Sequence, residues 1–112
     1  MKRDGGARHG RPMIRDEYRL VPNADDKDPC LAIEMVRHHY DDTREVATEH
    51  IPLAGEIVHL NGHGYCASVT RCRRLSTGRK VTWSEHLGEV FDNIETCRIA
   101  IENAFEPRDF LD

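Results

Sequence analysis

Apolar and polar positions follow two different periods along this chain, and the change between them comes near its middle. The segment Glu17, Tyr18, Arg19, Leu20, Val21 reads as a short strand ending at Pro22, and residues 23–27 read as a turn. Asp28 and Pro29 then carry a helix-start signal, because Asp caps free backbone N–H groups and Pro at the first helical position gives up no hydrogen bond. Leu31, Met35 and His38, with Ala32, Val36 and Tyr40, fall at helical spacing, so the pattern predicts a helix over residues 28–40. Asp41, Asp42 and Thr43 stop it, and residues 44–50 add one or two further turns before Pro52.

From Ala54 the period becomes two. Residues 55–60 read as a strand, 61–64 as a turn, 65–74 as a second strand and 79–87 as a third, with Gly78 suited to the left-handed position of a three-residue loop. The last helix begins at Asp92, which forms a capping-box pair with Glu95. Ile94, Cys97, Ile101, Ala104 and Phe105 make its apolar stripe, and Pro107 closes it. The expected fold is α+β: an antiparallel sheet of three to four strands packed against a C-terminal helix, with an additional helix in the N-terminal half.

Hairpin geometry turns this pattern into a register. A four-residue loop at 61–64 sets Leu60 opposite Tyr65, His59 opposite Cys66 and Val58 opposite Ala67. Leu60, Val58, Tyr65, Ala67 and Val69 then form the core face, while His59, Cys66, Ser68, Thr70, Cys72 and Ile57 take the other. A three-residue loop in the second hairpin sets Leu75 opposite Arg79, Arg73 opposite Val81 and Arg71 opposite Trp83, a cation–π arrangement. A two-residue turn would instead move Val81 and Trp83 to the cysteine face, leaving apolar groups on both sides of the sheet.

The length, 112 residues, fits one domain. Residues 1–15 lack an apolar period and read as a flexible basic tail; residues 16–112 form the single small domain. A chain of this size buries only about two-thirds of its unfolded surface, so self-association would add stability. No run of about eighteen apolar residues exists and the start lacks a signal-peptide core, which points to the cytoplasm and to cysteines held as thiols.

The net charge of −4 hides an uneven distribution. Residues 1–15 carry five basic and one acidic side chain, 16–53 four and ten, 54–84 five and one, and 85–112 two and eight. The basic central band is concentrated in Arg71, Arg73, Arg74, Arg79 and Lys80 around one turn. A two-stranded ribbon of this kind suits a nucleic-acid backbone, and it equally complements acidic segments of its own fold or of a second subunit.

The histidines and cysteines of residues 59–72 invite a metal reading. Cys66 and Cys72, however, stand about 20 Å apart on a straight strand at roughly 3.3 Å per residue, and His59 with Cys66 supplies only two ligands. No orienting group for a Cys–His nucleophile is legible, Glu85 and His86 point to opposite faces, and no glycine-rich phosphate loop precedes a helix. The expectation is therefore no catalytic residue, no metal and no cofactor.

Gly64, Tyr65, Cys66, Ala67, Ser68, Val69 and Thr70, with Val81, Thr82, Trp83, Glu89, Val90, Phe91, Asp92, Ala100, Ala104 and Phe105, resemble a group of small uncharacterised proteobacterial proteins. The resemblance spans residues 54–106. It implies a three-stranded antiparallel meander with a C-terminal helix beginning after a Phe-containing turn, and it implies dimerisation. It carries no catalytic residue. The expected role is interaction with protein, through homodimerisation or another partner, with nucleic-acid binding by the 71–80 hairpin as the alternative.

Overall fold

The computed structural model describes residues 12–22 and 30–111. Five antiparallel strands run as a meander, each hydrogen-bonded to its neighbours in sequence: β1 (Pro12–Pro22), β2 (Cys30–Asp41), β3 (Arg44–His59), β4 (Tyr65–Arg74) and β5 (Lys80–His86). Helix α1 (Ile94–Ala104) and a single turn, α2 (Arg108–Leu111), follow the sheet. The α+β class and the C-terminal helix are present. Among the described residues the sheet has five strands, not three or four.

The helix expected over residues 28–40 is strand β2 where it is described, and residues 44–50 belong to strand β3. The reason lies in burial on both faces. Ile33 and Met35 face the core while Ala32, Val36 and His38 are buried on the opposite side. A strand covered on both sides shows a continuous apolar run, which has no period of two and fits a helical template as well. Pairing with β1 along its whole length and with β3 on the other side decides the outcome. Asp28 and Pro29, which carried the helix-start signal, and the turn at 23–27 lie outside the described residues.

Strand β1 starts at Pro12, inside the stretch that the sequence assigns to the tail; residues 1–11 lie outside the described part. Pro52, which looked like a terminator, sits in a bulge instead. Ile33 pairs with Gly55 and Met35 with Ile51, so Glu34 alone faces Pro52, Leu53 and Ala54. A residue without an N–H is tolerated there because the ladder is already interrupted. The two-residue turn after β2 holds Asp42 at φ 61°, a left-handed conformation that Asp tolerates.

The core lies between one face of the sheet and α1: Ile33, Met35, Ile51, Ala54, Ile57, Ala67 and Val69 meet Cys97, Ile101 and Phe105. Asn93, not Asp92, caps the helix, its side chain accepting from the Thr96 N–H at 2.8 Å. Tyr65 and Phe91 exchange two backbone hydrogen bonds of 2.8 Å, which ties the segment before α1 to the start of β4. Gly64 makes that approach possible, since a Cβ there would come 2.5 Å from the Phe91 carbonyl oxygen.

The first hairpin is shifted by one residue from the expected register. His59 pairs with Tyr65, Val58 with Cys66 and Ile57 with Ala67, so Ile57, 1% exposed, is a core residue and Val58 is not. The loop is closed by Leu60 N–H to Gly64 O and His63 N–H to Leu60 O. The second hairpin has the expected three-residue register, with Arg71 opposite Trp83, Arg73 opposite Val81 and Leu75 N–H donating to Arg79 O.

Beyond Met35 and Ile51, β2 and β3 contribute no residue to the core cluster, and the molecule is long, 63 × 37 × 24 Å. Charge pairs hold this distal part together. Arg37 makes a two-pronged bond to Asp16 at 2.8 and 3.0 Å, and His39 bonds Glu49 at 2.6 Å. On the opposite face His50 bonds Glu34 at 2.8 Å, and Arg19 reaches both Glu34 and Glu17.

Candidate functional site

Two features of the β4–β5 hairpin are chemically distinctive: the outer edge of β5 and the basic end at its turn. Both follow from the register. Leu87 N–H donates to Ala67 O, and Leu75 N–H to Arg79 O, so the pairs with odd-numbered β5 residues are the hydrogen-bonded ones. Val81, Trp83 and Glu85 therefore spend their backbone groups on β4. Lys80, Thr82, Ser84 and His86 turn theirs outward, where no described strand pairs with them.

The two edges of the sheet differ. β1 is bounded by Pro12 and Pro22 and carries Arg15, Asp16, Glu17 and Arg19 between them, features that discourage pairing. β5 has seven residues, no proline and no register shift against β4. Trp83 lies on the helix-bearing side of that edge and is 46% exposed. Of the features that natural edges use against association, β5 shows, among the described residues, the charges of Lys80 and Glu85 and its shortness.

The basic end is less free than its composition suggests. Arg71 is engaged in the fold: Nη1 donates to the Ala104 carbonyl at 2.6 Å, and the guanidinium meets Glu85 at 3.3 and 3.5 Å. Arg74 donates to Gly78 O at 3.2 Å and Lys80 to Phe110 O at 3.3 Å. Arg73 and Arg79 are exposed, and neither makes a side-chain bond among the described residues. Cys72, Arg73, Arg74, Lys80 and Asp109 line an open cleft of about 350 Å³ beside α2. The hairpin thus gathers Arg73, Arg74, Arg79 and Lys80 at one end and sends Arg71 to the helix.

His59 and Cys66 do not face each other. The His59 ring lies 4.9 Å from that of Tyr65, and Cys66 pairs with Val58. Among the described residues no group of three or more His, Cys, Asp or Glu side chains could hold a metal ion. Cys66, Cys72 and Cys97 are free thiols, and burial pushes the Cys97 thiol upward in pKa.

A third cluster went unread in the sequence. His38 is held at both ring nitrogens, Nε2 by Glu17 of β1 at 2.8 Å and Nδ1 by Glu45 of β3 at 2.6 Å. Both bonds require ring N–H donors when the partners are carboxylates, so the imidazolium is the form that fits. These two carboxylates raise the His38 pKa, Glu17 more than Glu45. Glu17 in turn is lowered to about 2, first by Arg19 and then by His38. Reading residues 28–40 as a helix put His38 and Glu17 on unrelated elements and hid the cluster. A strand reading places His38 two residues from Val36, which is the partner of Glu17.

No described helix is long and apolar enough to cross a membrane. The chain matches no protein-family model, no curated protein and no solved structure.

Proposed function

We propose that this protein is an interaction module, not an enzyme, and that it binds protein by accepting an added strand at the edge of β5 that no described strand pairs with. The observation that carries this reading is the outward-facing row of backbone groups at Thr82, Ser84 and His86 on an unbulged, proline-free edge. Such an edge supplies affinity through main-chain hydrogen bonds, and the side chains next to it supply selectivity. Trp83 gives the edge an aromatic anchor of the type enriched at binding hot spots.

The test uses a phage-displayed library of short extended peptides against the purified protein and its Thr82→Pro variant. Thr82 turns its N–H outward, so proline there removes an edge donor without breaking the β4 ladder. Enrichment of peptides by the parent that is lost in Thr82→Pro and kept in Thr82→Val supports strand addition. Equal enrichment by all three rejects it, as does the absence of both peptide binding and self-association in the parent.

A second reading is favoured by the exposed Arg73 and Arg79 flanking the cleft: nucleic-acid binding at the hairpin end. Backbone contacts release counterions, so affinity for a labelled duplex or single strand should fall steeply between low and moderate salt. Arg73→Ala and Arg79→Ala should each reduce that slope by about 1. Association through the β5 edge depends far less on salt.

A further inference from the structure

Resting on the strand-addition reading, we propose that the strand added at β5 is β5 of a second copy of this chain, antiparallel and centred on Thr82. The outward-facing residues restrict the possibilities. Hydrogen-bonded pairs across the new seam must join Lys80, Thr82, Ser84 or His86 of one chain to one of the same set in the other. Registers with at least two such pairs are centred on Val81, Thr82, Trp83, Ser84 or Glu85, and the side chains separate them.

Centring on Trp83 sets Lys80 against His86 and Val81 against Glu85. Centring on Ser84 sets Trp83 against Glu85, centring on Val81 sets Arg79 against Trp83, and centring on Glu85 sets the two Glu85 side chains against each other. None of these places opposite charges directly across the seam. Centring on Thr82 does so twice, with Arg79 of each chain opposite Glu85 of the other. The same register sets Trp83 opposite Val81 twice, sets Lys80 opposite Ser84, and leaves the two Thr82 residues facing each other on the axis. Opposite-charge and aromatic–β-branched pairs are the cross-strand combinations that stabilise a ladder.

The charges are available for this role. Arg79 is exposed and has no side-chain partner among the described residues. Glu85 is half exposed, and its bonds to Arg71 are long, 3.3 and 3.5 Å. In the dimer each Glu85 carboxylate lies between Arg71 of its own chain and Arg79 of the second copy. A twofold axis normal to the sheet joins the two five-stranded sheets into one and keeps both α1 helices on the same face. The seam is small compared with a standard interface of about 1,600 Å², so the association is expected to depend on concentration.

The test is a charge exchange between chains, read by sedimentation velocity over a concentration series at low salt. Arg79→Glu alone sets two acidic pairs across the seam, and Glu85→Arg alone sets two basic pairs. Each variant is expected to dimerise at least about tenfold more weakly than the parent. An equal mixture of the two has a complementary pair at both positions, and it should recover dimer to within a few fold of the parent. Recovery also shows that both variants are folded, because neither sequence is repaired. A parent that stays monomeric at every concentration overturns the proposal, and so does a mixture no better than its components. If edge peptides still bind in either of those cases, strand addition stands and the partner is another chain.

Discussion

Gly55 of β3 lies directly against Ile101 of α1. A Cβ at Gly55 would stand 2.7 Å from Ile101 Cγ2 and 2.5 Å from the carbonyl oxygen of Ser68 on β4. The helix therefore approaches the sheet as closely as it does because this position has no side chain. Ile101 is 0% exposed, so it cannot swing away into solvent, and the Ser68 carbonyl belongs to the β3–β4 ladder.

Gly55→Ala is accordingly expected to destabilise the fold by about 1–3 kcal/mol, the usual cost of overpacking. Ile101→Ala should cost about 2–5 kcal/mol by leaving a cavity. The double variant should cost less than the sum, because one of the two clashes disappears with the isoleucine side chain. Urea unfolding followed by circular dichroism measures all three. Strict additivity would mean that the helix does not rest on Gly55.

His38 makes the distal part of the sheet sensitive to pH on both sides of an optimum. Its pKa is raised in the fold, so its contribution is complete below 6.5 and is lost as pH rises through the folded value. Glu17 is lowered to about 2, so its contribution is complete above 4.5 and is lost as pH falls toward that value. Amide exchange of β1 and β2 near these residues, corrected for intrinsic rates, should be slowest between pH 4.5 and 6.5. Arg15 opposes the shift of His38 without reversing it. The ring titration by NMR should have a midpoint above 6.5 that falls in both Glu17→Gln and Glu45→Gln. A midpoint at or below 6.5 would dissolve the cluster.

The second hairpin and the last helix were legible because their signals are local. Gly78, in a three-residue loop, fixes how Arg71 meets Trp83, and the stripe of Cys97, Ile101 and Phe105 fixes the buried face of α1. The first hairpin was not, because a shift of one residue exchanges Val58 for Ile57 and both choices look apolar. Strand β2 was hidden for a different reason. Its partners on either side belong to β1 and to β3, and no local pattern announces a strand buried on both faces. The edge of β5 could be read only once the hydrogen-bonded pairs were known, whereas the five cations of the basic hairpin were visible at once. The sequence did not show that Arg71 serves the helix terminus.

Arg71 closes the C-terminal end of α1. Its donation to the carbonyl of Ala104, the last helical residue, satisfies an acceptor that has no partner within the helix. Arg71→Met keeps much of the apolar stem and removes that bond, so a loss of about 1.5–3 kcal/mol is expected. Glu85→Gln should cost under about 1 kcal/mol, because the pair is long and half exposed. Comparing the two variants by urea unfolding separates the helix contact from the ion pair. Equal losses would assign the role of Arg71 to Glu85 instead.

Cys97 reports on the docking of α1. It is 0% exposed, and burial raises its thiol pKa, so the reactive thiolate is scarce and shielded in the folded chain. Cys66 is only half-buried and is expected to react with iodoacetamide before Cys97, which is modified only when the helix lifts from the sheet. Site-resolved mass spectrometry gives both rates. In Ile101→Ala the Cys97 rate should rise about tenfold for each 1.4 kcal/mol lost, provided that closing outruns alkylation. Cys66 should change far less, because its access does not require the helix to leave. Equal rates at the two thiols in the parent would place Cys97 outside the core and detach α1 from the face that Gly55 prepares for it.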